Sequence, residues 1–384
     1  MSRAQTIPPF YVMDLLARAK QLEAEGHSIL HLEVGEPDFA TARPIVDAGI
    51  QALRQLKTHY TAATGLPELR QAIADHYQRK FALAIDPRRI VVTPGASGAL
   101  QLALSVLTDP GESILLSDPG YPCNRNIAKI LGISSVDVPV SAGTQYQLNA
   151  GHIHKYWLAN TRAAMVASPS NPTGTLIERD AMRELLAAVS KVNGHLIVDE
   201  IYQGLVYDVE EYTALSLSEE VFVVNSFSKY FGMTGWRLGW MVVPERYVDE
   251  VDRVAQNVFL AASTLSQYAA LAAFEPEAEA ILQRRVDMFR KRRDYMLSAL
   301  PEMGFKISLQ PQGAFYIYAD CSEITQDSFS WTRQLLEKEG VAVTPGIDFG
   351  SHRAAVHVRF AYTRSLDELR RAMCRITKFI QDKQ

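Results

Sequence analysis

A single lysine stands within a stretch of small, aromatic and hydroxyl side chains, SFSKYFGMTGWRLGW, at residues 226–240. Ser226, Ser228 and Arg237 offer two hydroxyls and a guanidinium that can hold phosphate oxygens. Lys229 stands among apolar and aromatic residues, and an amine that loses contact with water favours its uncharged form, the nucleophile that forms a Schiff base. The plain alternative is a surface lysine after a strand, but these neighbours favour a functional lysine.

A second stretch of small residues opens a predicted helix directly after a predicted strand. In IVVTPGASGALQLAL the residues Gly95, Ala96, Ser97 and Gly98 follow the apolar run. The first N–H groups of a helix lack partners within the helix, and the helix dipole adds positive potential, so this turn favours a phosphate. A turn of small residues needed only for packing would have the same composition, and the pattern matches neither GxxxxGK[ST] nor GxGxxG.

Three further polar side chains follow or lie within predicted strands. Asp199 ends the strand HLIVDE, with Tyr202 one turn later; the carboxyl ends of parallel strands are where open α/β sheets bind ligands, although Asp199 could equally cap the next helix. Asn171 lies in the turn SPSNPTG, where its amide is free to donate a hydrogen bond. In VHVRFAY the alternation sets Arg359 opposite the apolar face, where it binds either a substrate carboxylate or an internal acidic side chain.

Short apolar runs alternate with helical patterns through the middle of the chain. The runs predicted as strands buried on both faces are 90–92, 113–116, 135–140, 163–168, 195–200 and 221–227, and the helices between them include 97–107 and 180–189. This alternation predicts βαβ crossovers and a mainly parallel sheet flanked by helices. We therefore expect a large α/β domain over residues 45–280.

The C-terminal part has a different pattern. A long charged helix from about residue 281 is followed by the strand YIYAD, a helix ending near Gly340, the strands VAVTP and VHVRFAY, and a last helix with a capping box of Ser365 and Glu368. These elements predict a smaller α+β domain formed by residues 281–384 together with residues 1–44. A cleft between two such domains is the expected site of chemistry.

Composition and charge narrow the class of protein. The 384 residues are 47% hydrophobic and 21% charged, which is typical of an ordinary folded protein. Lysine and arginine number 39 against 43 acidic residues, and the net charge of −4 offers no attraction to nucleic acid. Cys123, Cys321 and Cys374 are too widely spaced for a metal site and fit a reducing, cytoplasmic setting. No apolar run approaches the roughly 18 residues that span a bilayer, so we expect neither a metal nor a membrane partner.

Taken in order over nearly the whole chain, these segments resemble the class I/II aminotransferases, which are pyridoxal 5′-phosphate enzymes of fold type I. The specific match is SFSKYFGMTGWRLG, which has the family's Ser-x-Ser-Lys followed by Gly, Gly, Arg and Gly at the expected offsets. SPSNPTG and VDEIY also match the family almost letter for letter. The resemblance implies a seven-stranded, mainly parallel sheet in the large domain and a homodimer with shared active sites.

The resemblance also implies a role for each candidate residue. Lys229 would bind the cofactor covalently and then move a proton as the catalytic base, while Asp199 would pair with the pyridine nitrogen. Arg359 would hold the substrate α-carboxylate, helped by Gly35 of LEVGEPDF and by Asn171. The other implied cofactor contacts are Gly95, Ala96, Ser97, Ser226, Ser228 and Arg237 at the phosphate, joined by Tyr60 of the partner subunit, Asn171 and Tyr202 at the phenolic oxygen, and Tyr121 on the ring face.

These roles predict an enzyme of amino acid metabolism that moves an amino group from an L-amino acid to a 2-oxo acid by ping-pong transamination. Ser97 stands where some aspartate-preferring relatives have a lysine, which argues against a dicarboxylate substrate. Three alternatives are open: a Cβ–Sγ lyase of the same fold, a ligand-sensing effector module that does not convert its cofactor, and a nicotinamide dehydrogenase. The last is disfavoured because the chain has no GxGxxG turn followed by an acidic residue about 20 positions later.

Overall fold

A computed structural model describes residues 3–382. Its α-helices are α1 (Tyr11–Ala24), α2 (Arg43–Arg54), α3 (Pro67–Phe81), α4 (Gly95–Leu107), α5 (Pro122–Leu131), α6 (Ala150–Tyr156), α7 (Arg179–Lys191), α8 (Val248–Val258), α9 (Thr264–Leu271), α10 (Pro276–Glu302), α11 (Ser328–Glu339) and α12 (Leu366–Gln381). Its strands are β1 (Leu30–His31), β2 (Ile90–Thr93), β3 (Ser113–Asp118), β4 (Ser134–Pro139), β5 (Thr161–Ala167), β6 (His195–Asp199), β7 (Phe222–Ser226), β8 (Gly239–Val242), β9 (Tyr316–Asp320), β10 (Val341–Ala342), β11 (Thr344–Pro345) and β12 (His357–Ala361).

A seven-stranded sheet with the order β2-β8-β7-β6-β5-β3-β4 forms the larger part of the molecule. Strands β3 to β7 pair in parallel, whereas β8 pairs antiparallel with both β2 and β7. The predicted α/β class and seven-stranded, mainly parallel sheet are therefore confirmed. Because β8 returns beside β7, the lysine-containing stretch is the connection that leaves the carboxyl end of β7.

The prediction that the strand at 135–140 is buried on both faces is wrong. It forms β4, but most of its residues are exposed or half-buried rather than buried on both faces. The reason is its place at the edge of the sheet, where it pairs only with β3. Pro139, which has no N–H to donate, is tolerated in such an edge strand.

Alternate residues of the sheet strands enter two separate apolar cores, one on each face. In β6, for example, Leu196 and Val198 pack into one core and Ile197 into the other. This follows from the two-residue period of a strand. Helices cover both faces, so both sets of side chains are removed from water.

A second unit contains a three-stranded antiparallel sheet of order β11-β12-β9 and a short parallel pair of β1 with β10. The predicted capping box of α12 is present, since Ser365 and Glu368 each accept or donate across the first turn. The predicted end of α11 is also confirmed, with Gly340 in the left-handed conformation that favours glycine. Register pairs Arg359 in β12 with Tyr318 in β9.

Helix α10 joins the two units without a break. It begins at Pro276, in the first turn where proline is favoured, rather than near residue 281. Ala278 and Leu282 pack in a core of the seven-stranded sheet, and Phe289 and Met296 pack in the core of the second unit. The division at residues 44/45 and 280/281 stays a prediction. Over residues 3–382 no helix has the length and apolar character needed to cross a membrane.

Candidate active site

A cavity of about 390 Å³ opens beside the carboxyl ends of the central strands. It is lined by residues from both units, from β6 and β7 on one side to β9 and β12 on the other. The candidate residues that line it are Gly35, Ala96, Ser97, Tyr121, Asn171, Asp199, Tyr202, Ser226, Ser228, Lys229, Arg237 and Arg359. The fold thus brings together side chains that are more than 300 residues apart in the chain.

The lysine follows β7 directly and its amine lies inside this cavity. Lys229 Nζ donates a hydrogen bond of 2.9 Å to the carbonyl oxygen of Gly35. The ring centroids of Tyr202 and Phe315 lie 5.8 and 5.7 Å from Nζ. Gly35 cannot carry a side chain, because its Cβ would lie 1.6 Å from the hydroxyl oxygen of Tyr316. The amine is therefore held at a fixed point between aromatic walls and the backbone.

The start of α4 forms an anion cradle together with the connection between β7 and β8. Gly95 has a φ of +72°, and a Cβ there would lie 2.7 Å from Nη2 of Arg237. A Cβ at Gly239 would lie 2.8 Å from the backbone nitrogen of Ala96. The two glycines let the guanidinium and the strand approach the first N–H groups of the helix, which have no partners within it. Gly95 itself does not line the cavity, but it sets this close approach.

The two serines of this connection lie beside the cradle. The hydroxyl oxygen of Ser226 accepts a hydrogen bond of 3.0 Å from the backbone N–H of Ser228, and both residues are buried. Arg237 is exposed, and its Nη1 donates to the carbonyl oxygen of Thr234 at 3.1 Å. Two hydroxyls, a guanidinium and free helix amides are a donor set suited to phosphate oxygens.

Asp199 is a buried acid at the end of β6. It is 4% exposed, and burial raises its pKa to about 7, although the Ile201 N–H and the nearby Lys229 act in the opposite direction. The Ile201 N–H donates to its Oδ1 at 3.1 Å. Residues 201–204 form a turn, so the alternative in which Asp199 caps a helix is wrong. A buried acid of this kind gains stability as a carboxylate when a cation is placed beside it.

Arg359 lies in a slot between two aromatic rings. Its guanidinium carbon is 4.2 Å from the ring centroid of Tyr316 and 4.8 Å from that of Phe349. Nη1 donates to Asn171 Oδ1 at 2.9 Å, and Nη2 donates to the carbonyl oxygen of Glu33. Nε is buried without a hydrogen-bond partner. No carboxylate within residues 3–382 forms an ion pair with this guanidinium, so the internal salt bridge left open by the sequence is absent there.

Several cavity residues were missed by sequence reasoning. Tyr316 lies in the predicted strand YIYAD and its hydroxyl is 3.0 Å from that of Tyr202; the two-residue alternation of that strand was the available signal. Glu36 lines the cavity and accepts a hydrogen bond of 2.7 Å from the Thr234 hydroxyl. The remaining missed lining residues are Phe10, Val12, Met13, Val34, Leu100, Ala167, Ile201, Thr234 and Gly235. Most of these come from the start of α1 or from loops, where no local pattern marks a site.

Tyr60 is a second candidate residue, after Gly95, that does not line the cavity. Its side chain is 82% exposed and lies outside the lining.

Comparison with known proteins decides the family. The family model for aminotransferase class I and II matches residues 27–376. The chain belongs to the class I and II aminotransferases. This aminotransferase depends on pyridoxal 5′-phosphate, as the family does, and acts on small molecules of the amino acid and oxo acid classes.

Curated relatives of this aminotransferase cover nearly its whole length. It is 37% identical over 376 residues to a valine–pyruvate aminotransferase of Mycobacterium tuberculosis, covering 97% of both chains. It is 36% identical to a (5-formylfuran-3-yl)methyl phosphate transaminase of Methanocaldococcus jannaschii, covering 97% of this chain and 96% of the relative. It is 31% identical to an aspartate/prephenate aminotransferase of Thermus thermophilus, covering 98% of both.

Solved structures agree with this membership. An aminotransferase from Mycobacterium tuberculosis superposes with a TM-score of 0.96 at 36% identity, covering 100% of this chain and 99% of that one. An aspartate aminotransferase from Thermus thermophilus with maleate gives a TM-score of 0.92 at 31% identity, covering 98% and 99%. The amino-group transfer predicted from the sequence is thus confirmed at the level of the enzyme class.

Proposed function

We propose that this aminotransferase transfers the amino group of a neutral L-amino acid to a 2-oxo acid, with Lys229 as its catalytic base. The observation that carries the proposal is the convergence of Lys229, Asp199 and Arg359 on one cavity of about 390 Å³. An amine, a buried acid and a carboxylate-binding guanidinium are the three groups that the reaction needs from the protein.

The side chains present fit pyridoxal 5′-phosphate. The cradle of Ser226, Ser228, Arg237 and the amides of Ala96 and Ser97 would hold the phosphate, because it combines two hydroxyls and a cation with unpaired helix N–H groups. The absence of side chains at Gly95 and Gly239 keeps that space open.

The opposite end of the cofactor also has matching groups. Asp199, whose pKa burial raises to about 7, would gain a cationic partner in the ring nitrogen. Asn171 and Tyr202 would bond the phenolic oxygen, and Tyr121 would lie on the ring face. When bound, the cofactor supplies an electron sink for the negative charge that forms on the substrate Cα.

The protein's own groups then control the proton and the substrate. Arg359 binds the α-carboxylate through Nε–H and the Nη1–H that do not donate to Asn171, the Glu33 carbonyl or the Thr344 hydroxyl, and this fixes the direction of the Cα–H bond. The free amine of Lys229 would take the proton from the substrate Cα and would later release it to carbon C4′ of the cofactor. The second half-reaction repeats these steps in reverse with a 2-oxo acid, which predicts ping-pong kinetics.

Borohydride reduction followed by peptide mass spectrometry tests the covalent assignment. Reduction of the holoenzyme should attach the cofactor mass to Lys229, and a Lys229→Ala variant should show no adduct and no transamination. An adduct on another lysine, or an unmodified Lys229 in active enzyme, contradicts the assignment. Release of pyruvate and ammonia from cystathionine, measured in parallel, distinguishes the elimination alternative, which no feature of the site favours.

The charges around the cavity support a neutral substrate side chain. Among the described lining residues the cations are Lys229, Arg237 and Arg359, each of which has a duty in the proposed reaction. Glu36 adds an anion on the lining, where it disfavours a second substrate carboxylate. The valine–pyruvate relative, 37% identical, is a further support.

The substrate class is tested by single-turnover loss of the cofactor's visible absorbance. Valine should react with a higher kcat/KM than aspartate, and Glu36→Gln should raise the value for aspartate relative to that for valine. Glu68→Gln, a change at an exposed residue outside the cavity, should leave this ratio unchanged. Preference for aspartate by the unchanged enzyme would contradict the proposal.

A homodimer with shared sites is supported by an exposed apolar surface around Tyr60. Leu56 and Leu260 are 75% and 48% exposed, and each has a positive φ that presents it on a loop. The Thr264 hydroxyl donates to the carbonyl oxygen of His59 at 2.8 Å, which holds these two loop regions together. Exposed apolar side chains clustered in this way are typical of a subunit interface.

Subunit complementation tests the shared site. Lys229→Ala and Tyr60→Ala should each be weak or inactive alone, whereas mixed dimers contain one intact site and should regain about a quarter of the activity. Light scattering should give twice the 42.8 kDa chain mass. Absence of any regained activity in a mixture shown to exchange subunits would refute the shared site.

We also propose a reducing, cytoplasmic setting, supported by the free thiols of Cys123, Cys321 and Cys374.

A further inference from the structure

Asp118 ends β3 and joins the two units of the molecule. Its carboxylate is 3% exposed and accepts hydrogen bonds from the second unit only through the segment 351–352. The Ser351 N–H lies 3.1 and 3.0 Å from its two oxygens, the Ser351 hydroxyl donates to Oδ2 at 2.9 Å, and the His352 N–H lies 3.3 and 3.2 Å away. Three donors thus meet one carboxylate, and hydrogen bonds to a charged acceptor are stronger than those between neutral groups.

The same contact continues to the neighbouring residue Phe349. Its carbonyl oxygen accepts hydrogen bonds from the Gly120 N–H at 2.9 Å and from Arg125 Nη1 at 3.2 Å. The end of β3 and the loop that follows it therefore hold the segment 349–352 through two sets of hydrogen bonds, one to the Asp118 carboxylate and one from the Gly120 N–H. Tyr121, which lines the cavity, belongs to this same loop.

Phe349 is also one wall of the slot that holds the substrate-binding arginine. Its ring is fully buried, and its centroid lies 4.8 Å from the guanidinium carbon of Arg359. The other wall, Tyr316, comes from β9 in the same unit as Arg359. The phenylalanine wall is therefore the part of the slot whose position depends on bonds to the seven-stranded unit.

The contact tolerates no added atoms. A Cβ at Gly350 would lie 1.8 Å from Oδ1 of Asp118, so the backbone of the segment lies directly against the carboxylate. A displacement of this backbone moves Phe349, the preceding residue, with it.

We propose that Asp118 is a positioning residue for substrate binding: its carboxylate fixes the segment 349–352 and thereby the Phe349 wall of the Arg359 slot. This rests on the proposed role of Arg359 in binding the substrate α-carboxylate. Asp118 touches neither cofactor nor substrate in this role, and its effect passes through Phe349 to the guanidinium.

Asp118→Asn in the holoenzyme tests the proposal. An asparagine keeps the shape of the side chain but replaces one acceptor oxygen by an NH₂ group that faces further donors. Some of the hydrogen bonds from Ser351 and His352 are therefore lost. KM for the amino acid should rise about tenfold or more, the usual effect of losing hydrogen bonds to a buried charge. kcat should change less than about twofold, because the amine of Lys229 and the phosphate cradle lie elsewhere.

Asp327→Asn is a control in the second unit. Asp327 also accepts from the N–H and the hydroxyl of one serine, Ser330, at 3.0 and 2.6 Å, but it lies outside the cavity. It should lower thermal stability with no change in KM. A fall in stability without a rise in KM for Asp118→Asn as well would show a purely structural role and overturn the proposal.

Two further variants keep the outcome clear. Ser351→Ala removes the 2.9 Å hydroxyl bond alone and should raise KM severalfold even where Asp118→Asn fails to fold; an unchanged KM overturns the proposal. Arg359→Lys tests the underlying role. If it leaves KM unchanged, the proposed function of Arg359 fails, whereas a raised KM for Arg359→Lys beside an unchanged KM for Asp118→Asn and Ser351→Ala means that this inference alone fails.

Discussion

Replacement of Asp199 by asparagine should change how the stability of the cofactor-free protein depends on pH. The carboxyl is 4% exposed, and burial raises its pKa from an ordinary 3.8 to about 7. Between these values the folded protein holds a proton that the unfolded chain has released, so the free energy of unfolding falls as pH rises. Each pH unit is worth about 1.4 kcal/mol well below the folded pKa and about half of that at pH 7, so from pH 5 to 7 the unchanged protein should lose about 2 kcal/mol that the asparagine variant keeps.

Urea unfolding of both cofactor-free proteins at pH 5, 6, 7 and 8 measures this difference. The stability of the variant relative to the unchanged protein should rise by about 2 kcal/mol up to pH 7 and by little more up to pH 8. The buried Glu200, whose pKa burial raises to about 8, titrates in both proteins and largely cancels. Asp327→Asn is the control, because hydrogen bonds from Ser330 lower the pKa of Asp327 and its titration falls below this range. A stability difference that is constant from pH 5 to 8 would refute the reasoning.

Three other changes have definite expected results. Gly239→Ala places a Cβ 2.8 Å from the Ala96 nitrogen and should weaken binding of pyridoxal 5′-phosphate in equilibrium dialysis without altering the far-ultraviolet circular dichroism; undiminished binding would contradict the cradle. Arg359→Ala should raise KM for the amino acid about 100-fold, as expected when a charged pair with the substrate is lost, and a KM within twofold would argue for another carboxylate site. Phe227→Ala removes a fully buried ring that packs 4.8 Å from Trp240, and urea unfolding should show a loss of about 3–5 kcal/mol; a loss below 1 kcal/mol would mean that the core refills the space.

Sequence patterns predicted the elements that have strong local signals. The apolar runs that became β2, β3, β5, β6 and β7 are short, rich in β-branched residues and bounded by turn residues, so their type was clear. Strand β8 was missed because its four residues, Gly239–Val242, are preceded by a motif whose glycines indicate a loop. The exposure of β4 was missed because position in the sheet depends on which strands pair, and periodicity carries no information about that.

Some residues of the candidate site have a local signal in the sequence, and others have none. Asp199 ends a buried strand and Lys229 lies three residues after another, where the topology of an α/β sheet alone brings side chains to one edge. Tyr316 and Phe349 enclose Arg359, but they belong to β9 and to a loop whose approach depends on the packing of the second unit. Glu36 lies on a loop near the N-terminus and reaches the cavity through its bond to Thr234. Contacts of this kind between distant segments leave no local signature.

The continuous helix α10 has a practical consequence for dividing the protein. Its 27 residues span about 40 Å. One side of its first half packs in a core of the seven-stranded sheet, and its second half packs in the core of the second unit. A fragment that ends near residue 280 would lose Leu282 from its interior, and a fragment that starts there would lack the first turns of the helix. Either fragment would therefore expose apolar side chains to water. We therefore expect the two fragments to precipitate when they are expressed separately. When they are co-expressed, they should associate and bury these apolar side chains again.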